Sequence, residues 1–386
     1  MKNQVSFVFP GARLARVSRL FSTRARIAAC AIFASAALAP YQAVAQSAAQ
    51  TRVLPLPATQ ATTVPSNGDV NPYGVAFVPG TVPANSQLQP GSILVSNFNN
   101  SANLQGLGTT IVQINSQGQT SLFFTATGSG VTGLTAALGI LSDGMVIVGY
   151  LPSTDGTSQT AGPGGLLFID PSGNLLGSFS NQNLINGPWG MAINDQGNGF
   201  GQLFVSNVEA GTVVRLDLDY NANGTFAKIL DSVTIGSGFM HSGDPAAFEV
   251  GPSGLAYNPL NDVLFVASEV DSAVYAIEQA SALTGSAGTG TLVDQDQTHF
   301  HGPLDLAIAP NGHLIVANSD GRNVDPNQPS ELVEFTAGGK FVSEYSVDPA
   351  NGGAFGVNIQ SLGFGAVRVA AVDDNANVLK MWITVL

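Results

Sequence analysis

The chain has 386 residues, 13 Lys and Arg against 26 Asp and Glu, a formal net charge of −13, and only 10% charged residues. A hydrophobic share of 44% excludes a disordered chain. The acidic balance excludes a protein that grips phosphate backbones, and the length exceeds what one compact core ordinarily fills unless repeated units share it.

Residues 1–45 differ from the rest. They carry Lys2, Arg13, Arg16, Arg19, Arg24 and Arg26 and no acid, then an apolar run over 27–39, Pro40, and Ala43-Val44-Ala45. A basic start, a short apolar core and a small-x-small site predict a secretory signal cut after Ala45. The run is shorter than the roughly 20 residues of a spanning helix, so no membrane span is expected after cleavage. The product is expected in the periplasm or secreted. Cleavage leaves 7 basic against 26 acidic residues, a formal charge of −19, and removes Cys30, the single cysteine. No disulfide is therefore expected. Residues 46–70 form an N-terminal segment.

From residue 71 onward a short opening recurs six times, at 71–77, 130–134, 187–193, 251–257, 302–308 and 353–359. The clearest copies are Asn71-Pro72-Tyr73-Gly74, Gly187-Pro188-Trp189-Gly190 and Gly251-Pro252-Ser253-Gly254. Their fourth residues are spaced 51 to 64 apart, enough for four short strands and their turns. A dense apolar run follows each opening (93–95, 145–148, 203–205, 263–266, 314–316, 367–370), as expected for strands covered on both faces. A third run follows each second one. Turn pairs such as Gln117-Gly118, Ser172-Gly173 and Gly338-Gly339 then lead to a fourth strand. The pattern predicts an all-β, six-bladed β-propeller of four-stranded blades over 71–386. The sixth unit ends after its third strand, and residues 51–56 (Thr-Arg-Val-Leu-Pro-Leu) are expected to supply the fourth and close the ring. Asn97, Asn207 and Asn318 end three second strands, a repetition that points to turn hydrogen bonding.

Loops entering the first strands share one face around the channel mouth. Asn186, Trp189, Glu249, His301 and Asp305 are the expected binding residues there. His241, Asp244, His299 and His301 fall in loops entering the fourth and fifth blades, where imidazoles and carboxylates suit a divalent cation such as zinc. From Asp219 the sequence reads Asp-x-Asn-x-Asn-Gly, with Asn221 and Asn223, the start of a calcium loop. Leu230 stands where that loop needs Glu, and an Asn-Gly hairpin turn accounts for the same residues without a metal.

The fifth unit, His299-Phe300-His301-Gly302-Pro303-Leu304-Asp305-Leu306-Ala307-Ile308 followed by Asn311-Gly312-His313-Leu314-Ile315-Val316-Ala317-Asn318, resembles the NHL repeat. The likeness is readable over roughly 184–346. It implies a propeller and leaves activity open, because such folds serve enzymes and binding scaffolds alike. In the amidating lyase built on NHL repeats, histidines from separate blades hold zinc. His299 matches one such position, while Trp189 and Ser253 stand at others. Gluconolactonase-like propellers hold a divalent cation with Glu, Asn and Asp at the channel mouth. Asn186 is similar to their Asn, Asp320 to their Asp, and Asp69 stands near the place of their Glu. The expectation is a monomeric binding propeller for a small molecule or protein partner. The alternative is a metal-dependent hydrolase or lactonase.

Overall fold

The computed structural model describes residues 53–54, 59–220, 227–327 and 329–386. These residues form six four-stranded antiparallel sheets and one two-stranded hairpin. The innermost strands, Val70–Phe77, Leu134–Ile140, Pro188–Asp195, Pro252–Asn258, Pro303–Ile308 and Ala354–Gly363, neighbour one another in a closed cycle. Each of the first five blades runs outward in chain order, as in Val70–Phe77, Ile93–Asn99, Thr110–Ile114 and Thr120–Thr125. The predicted six-bladed propeller is the observed fold.

The energetic logic follows the burial pattern. Second strands such as Ile93–Asn99 and Leu314–Asn318 are buried at every position. Outer strands such as Thr291–Gln295 have no buried residue, so only their inner edge adds to the sheet. One apolar cluster fills each gap between neighbouring blades. The gap that closes the ring holds Val75, Val95 and Val112 of the first blade against Ala370, Val372 and Leu379 of the sixth.

Side chains tie the inner strands across these gaps. Ser96 Oγ accepts from Gly74 N (2.9 Å) and donates to Thr135 O (2.7 Å) in the next blade. Ser206 Oγ does the same between Gly190 N (2.8 Å) and Ser253 O (2.5 Å). Asp305 accepts from Val357 N (2.9 Å), and Asn358 donates to Val75 O (2.9 Å). The repeated asparagines do serve the fold. Asn97, Asn207 and Asn318 donate to Thr63 O, Leu184 O and His299 O, pinning the incoming loop, and also reach Thr110, Thr212 and Glu331 at the start of the third strand.

Two sequence readings need correction. In the second blade Gly133 is the counterpart of Gly187, not of Gly190. Gly133 and Gly187 have φ of +76° and +71°, and their carbonyls accept from Leu151 N and Val208 N, each at 2.8 Å. The second opening is therefore read three residues too early when aligned on its glycine. The ring is closed by an N-terminal strand, but that strand is Thr59–Thr62, paired with Val378–Met381 of the last strand, and not residues 51–56. Residues 51–52 and 55–58 lie outside the described residues. Of 51–56, Val53 and Leu54 are described, lie in no strand, and are buried between the fifth and sixth blades. Val53 N donates to both oxygens of the buried Glu334 (3.0 and 2.8 Å), and Leu54 N to one (3.1 Å). The 1–45 signal lies outside the described residues.

Candidate ligand cavity at the channel mouth

The residue after each second-strand end sits at the channel mouth. In five blades its backbone N–H donates to the carbonyl of the glycine that opens the blade: Leu151 to Gly133, Val208 to Gly187, Glu269 to Gly251, Ser319 to Gly302 and Asp374 to Gly353, at 2.8 to 3.0 Å. In the first blade the second strand runs on to Asn99, and Phe98, after Asn97, takes the place that Val208 and Ser319 take after Asn207 and Asn318. Half of this ring is therefore apolar (Phe98, Leu151, Val208) and half polar (Glu269, Ser319, Asp374).

The apolar half joins Tyr73, Trp189, Phe248 and Leu304 in a buried plug across the channel. Trp189 is fully buried, with Tyr73 and Phe98 edge-on to it at 5.4 and 5.2 Å. Phe248 is delivered from above by the hairpin Ser242–Asp244 / Phe248–Val250, with φ of +69°, a strained value for a bulky residue. Arg322 fastens that hairpin through Asp244 (3.5 Å) and Ser242 Oγ (3.3 Å).

Above the plug, over the polar half, lies a cavity of about 350 Å³. Tyr73, Leu304 and Phe355 line it together with Asn71, Asn99, Glu269, Ser319, Asp320 and Asp374, and among the described residues no Lys, Arg or His lines it. Four buried oxygens in this lining have no hydrogen-bond partner: Asn71 Oδ1, Asn99 Oδ1, Glu269 Oε2 and Asp320 Oδ1. Buried acceptors are ordinarily satisfied, so four along one cavity mark a place for a donor. Ser319 Oγ donates to the other oxygen of Glu269 (2.7 Å), yet burial pushes its carboxyl up to about 8. Burial and the charge of Asp373 raise Asp374 to about 7. Burial also raises Asp320, against N–H bonds from Ser330 (2.8 Å) and Gly352 (3.1 Å). The Tyr73 phenol is held well above its usual range by burial, then by the charges of Asp374 and Glu269.

The residues expected to form the site are dispersed. Asp320 lies in this cavity. Trp189 belongs to the plug, and Asp305 lies in the lining of the channel on the other side of that plug, its carboxylate spent on Leu306 N and Val357 N, both at 2.9 Å. Asn186 is half-buried beside the Asn207 turn. Glu249 is buried in the hairpin, raised to about 7 by burial and by Glu209 and Asp244. Asp244 accepts from Ala246 N and Ala247 N and meets Arg322. His241 is exposed. His299 pairs with Asp296 and stacks on Phe341 at 3.9 Å. Asp69 accepts from Thr109 and Thr110, a structural task.

Among the described residues, the group of three metal-ligating types whose ligand atoms lie within 4.8 Å of one another is His301, Asp325 and Glu331. Those atoms are close enough to share an ion. However, both His301 ring nitrogens face backbone carbonyls, Asn323 O and Thr298 O (3.1 Å for the latter). An imidazolium donating both protons satisfies that arrangement, and these carbonyl contacts raise its pKa against burial. It leaves no lone pair for a metal. His241, Asp244, His299, His301 and Asp320 are not brought together as such a group. Asn221 and Asn223 lie outside the described residues, and Asp219 ends a strand opposite Lys228.

Glu269, Ser319 and Asp374 were not singled out by the sequence reading. The signal was the residue after the end of the second strand, one beyond Ser268, Asn318 and Asp373, at a position whose polarity changes halfway round the ring.

No protein-family model matches the chain, and no curated protein sequence does. Among solved structures it is similar to a gluconolactonase from Xanthomonas campestris (10% identity, 85% of this chain and 90% of that one, TM-score 0.48). It is also similar to a calcium-binding regucalcin from Agrobacterium tumefaciens (11%, 83% and 92%, TM-score 0.47) and a virginiamycin B lyase from Staphylococcus aureus (12%, 84% and 88%, TM-score 0.45). These are likenesses of outline and assign no activity.

Proposed function

We propose that the chain is an exported binding propeller that holds a small, donor-bearing ligand in the cavity above the plug. The observation that carries this reading is the set of four unpartnered acceptor oxygens at Asn71, Asn99, Glu269 and Asp320. The cavity volume lies in the usual range for small-molecule sites. Its oxygen donors are of the type a hard cation such as calcium takes rather than the nitrogen and sulfur that zinc favours. A thermal-shift screen over organic cations, divalent cations, sugars and lactones tests the reading. A ligand at 100 times its Kd stabilises by about 2.7 kcal/mol. That gain is expected to vanish in Glu269→Gln. A stabilising compound equally effective on Glu269→Gln and Asp320→Asn would bind elsewhere and remove the support for this cavity.

A second reading, hydrolysis of an ester or lactone, is favoured by Glu269 alone. With its carboxyl raised to about 8, it carries a proton at neutral pH and stands in the cavity as a general acid. Turnover of a lactone panel that survives Glu269→Gln unchanged would rule that role out.

Export rests on residues 1–45. Mass spectrometry of the exported fraction is expected to find Gln46 as the first residue, and an intact Met1 there would refute it.

A further inference from the structure

We propose that the ligand of this cavity is a primary ammonium with an apolar body, its nitrogen held at Glu269 with the charges of Asp320 and Asp374 acting from further off, and its body lying on Tyr73 and Phe355; the proposal rests on the cavity reading above.

The first argument is the direction of the hydrogen-bonding groups. Three of the amide donors around the cavity are spent on its own walls. Asn375 Nδ2 donates to Asp348 Oδ1 (3.1 Å), Ala350 O (3.2 Å) and Asn351 O (3.0 Å). Asn99 Nδ2 donates to Asn103 Oδ1 (2.8 Å), and Gln105 Nε2 to Ala246 O (3.3 Å). Apart from Arg322 Nε, what remains unpartnered beside the cavity are oxygens, acceptors once Glu269 gives up its proton, on side chains that are nine-tenths or more buried: Glu269 1% exposed, Asn99 2%, Asp320 6%, Asn71 7%. An anion or a carbonyl-rich ligand finds few donors there. An ammonium brings three N–H donors and a charge.

The second argument separates an organic cation from a metal ion. A calcium cage needs six to eight oxygens converging at about 2.3 to 2.6 Å from one point. The carboxylates of Glu269, Asp320 and Asp374 do not converge within 4.8 Å as a group, since the described residues yield a different set by that measure. The negative charge is spread over a cavity of about 350 Å³, far larger than a bare ion requires. A bare ion would also make no use of the aromatic floor. The Tyr73 and Phe355 rings are 4.9 Å apart and inclined at 51°. An aromatic ring beside carboxylates attracts an ammonium through its negative face and accommodates the adjoining apolar carbons. Asp374 and Glu269 both act on the Tyr73 hydroxyl, which puts charge and ring side by side.

The test is isothermal titration of the chain from Gln46 onward, at pH 8, with phenethylamine, butylamine, phenethyl alcohol and calcium chloride in turn. The expected result is binding of the amines, tighter for the aromatic one, and at least tenfold weaker binding of the alcohol. Glu269→Gln and Asp374→Asn, which keep shape and are checked for an intact melting transition, are each expected to weaken the amines tenfold or more. Alcohol binding as tight as amine binding, lost in Glu269→Gln, would overturn the ammonium while the cavity reading stands. So would calcium binding lost in the same variant without any amine binding. Amine binding untouched by both variants would overturn the proposal and the cavity reading together.

Discussion

A chain that begins at Val64 is expected to melt more than about 10 °C below one that begins at Gln46. Such a truncation removes the strand Thr59–Thr62 and with it the outer partner of the last strand. It also removes Val53 and Leu54, 0% and 3% exposed, from the apolar gap between the fifth and sixth blades. Two such side chains contribute roughly 3 to 6 kcal/mol by burial. The loss does not stop at apolar area. Glu334 is fully buried and accepts two backbone N–H groups from this arm, along with His313 Nδ1 (2.6 Å) and Ser343 Oγ (3.1 Å). Without the arm it becomes a buried carboxylate short of partners, which adds a cost of about 1 to 3 kcal/mol or more. For domains of 150 to 250 residues, roughly 2 to 4 °C accompanies each kcal/mol. Differential scanning calorimetry of the two chains measures the difference. A melting point within 3 °C of the longer chain would show that neither the closing strand nor the Glu334 anchor matters to the ring.

How much of this was legible in sequence depends on the kind of signal. Blade number and strand order were, because strands buried on both faces read as dense apolar runs such as 203–205 and 314–316, and such runs recur. The identity of the closing strand was not. Arg52-Val53-Leu54 is more apolar than Thr59-Gln60-Ala61-Thr62, but the outermost position of a blade asks for free N–H donors rather than apolar side chains, and Thr59–Thr62 offers them. The site was legible only in location. Choosing polar residues immediately before each opening selected Asn186, which bonds the Asn207 turn through its backbone N–H, and His301, whose ring nitrogens face loop carbonyls. Trp189 looked like a binding residue and packs fully buried in the plug, edge-on to Tyr73 and Phe98. Phe248 reaches the same plug from a hairpin that no repeat announces.

The cavity acids also predict how stability depends on pH. Glu269 is fully buried, and burial lifts its carboxyl from 4.5 to about 8. In the unfolded chain the same group ionises near its ordinary value of about 4.3. Between those two points the folded state holds a proton that the unfolded state has released. Stability therefore falls as pH rises across that window: the contribution is complete below about pH 4 and gone above about pH 8. Asp374, raised to about 7, acts in the same direction, and so does His301, whose protonated form the fold favours. Asp305, also raised to about 7, adds less, because it borders the channel and accepts two N–H bonds that favour its ionised form. Carboxylates held below their usual range, Asp195 and Asp296 through Tyr220 and His299, oppose this trend only in more acidic solution. One pKa unit corresponds to 1.36 kcal/mol, so Glu269 alone costs on the order of 2 kcal/mol or more by pH 8, even after relaxation around the charge. The melting temperature is accordingly expected to drop by several degrees from pH 5 to pH 8, the reverse of a protein stabilised by paired surface carboxylates. Glu269→Gln should match the wild type at pH 5 and exceed it at pH 8. A wild-type melting point that climbs over this range, or a Gln variant with the same slope, would mean that Glu269 is ionised in the folded protein. The same measurement bears on binding, since an ammonium that neutralises Glu269 should restore at pH 8 the stability that ionisation removes.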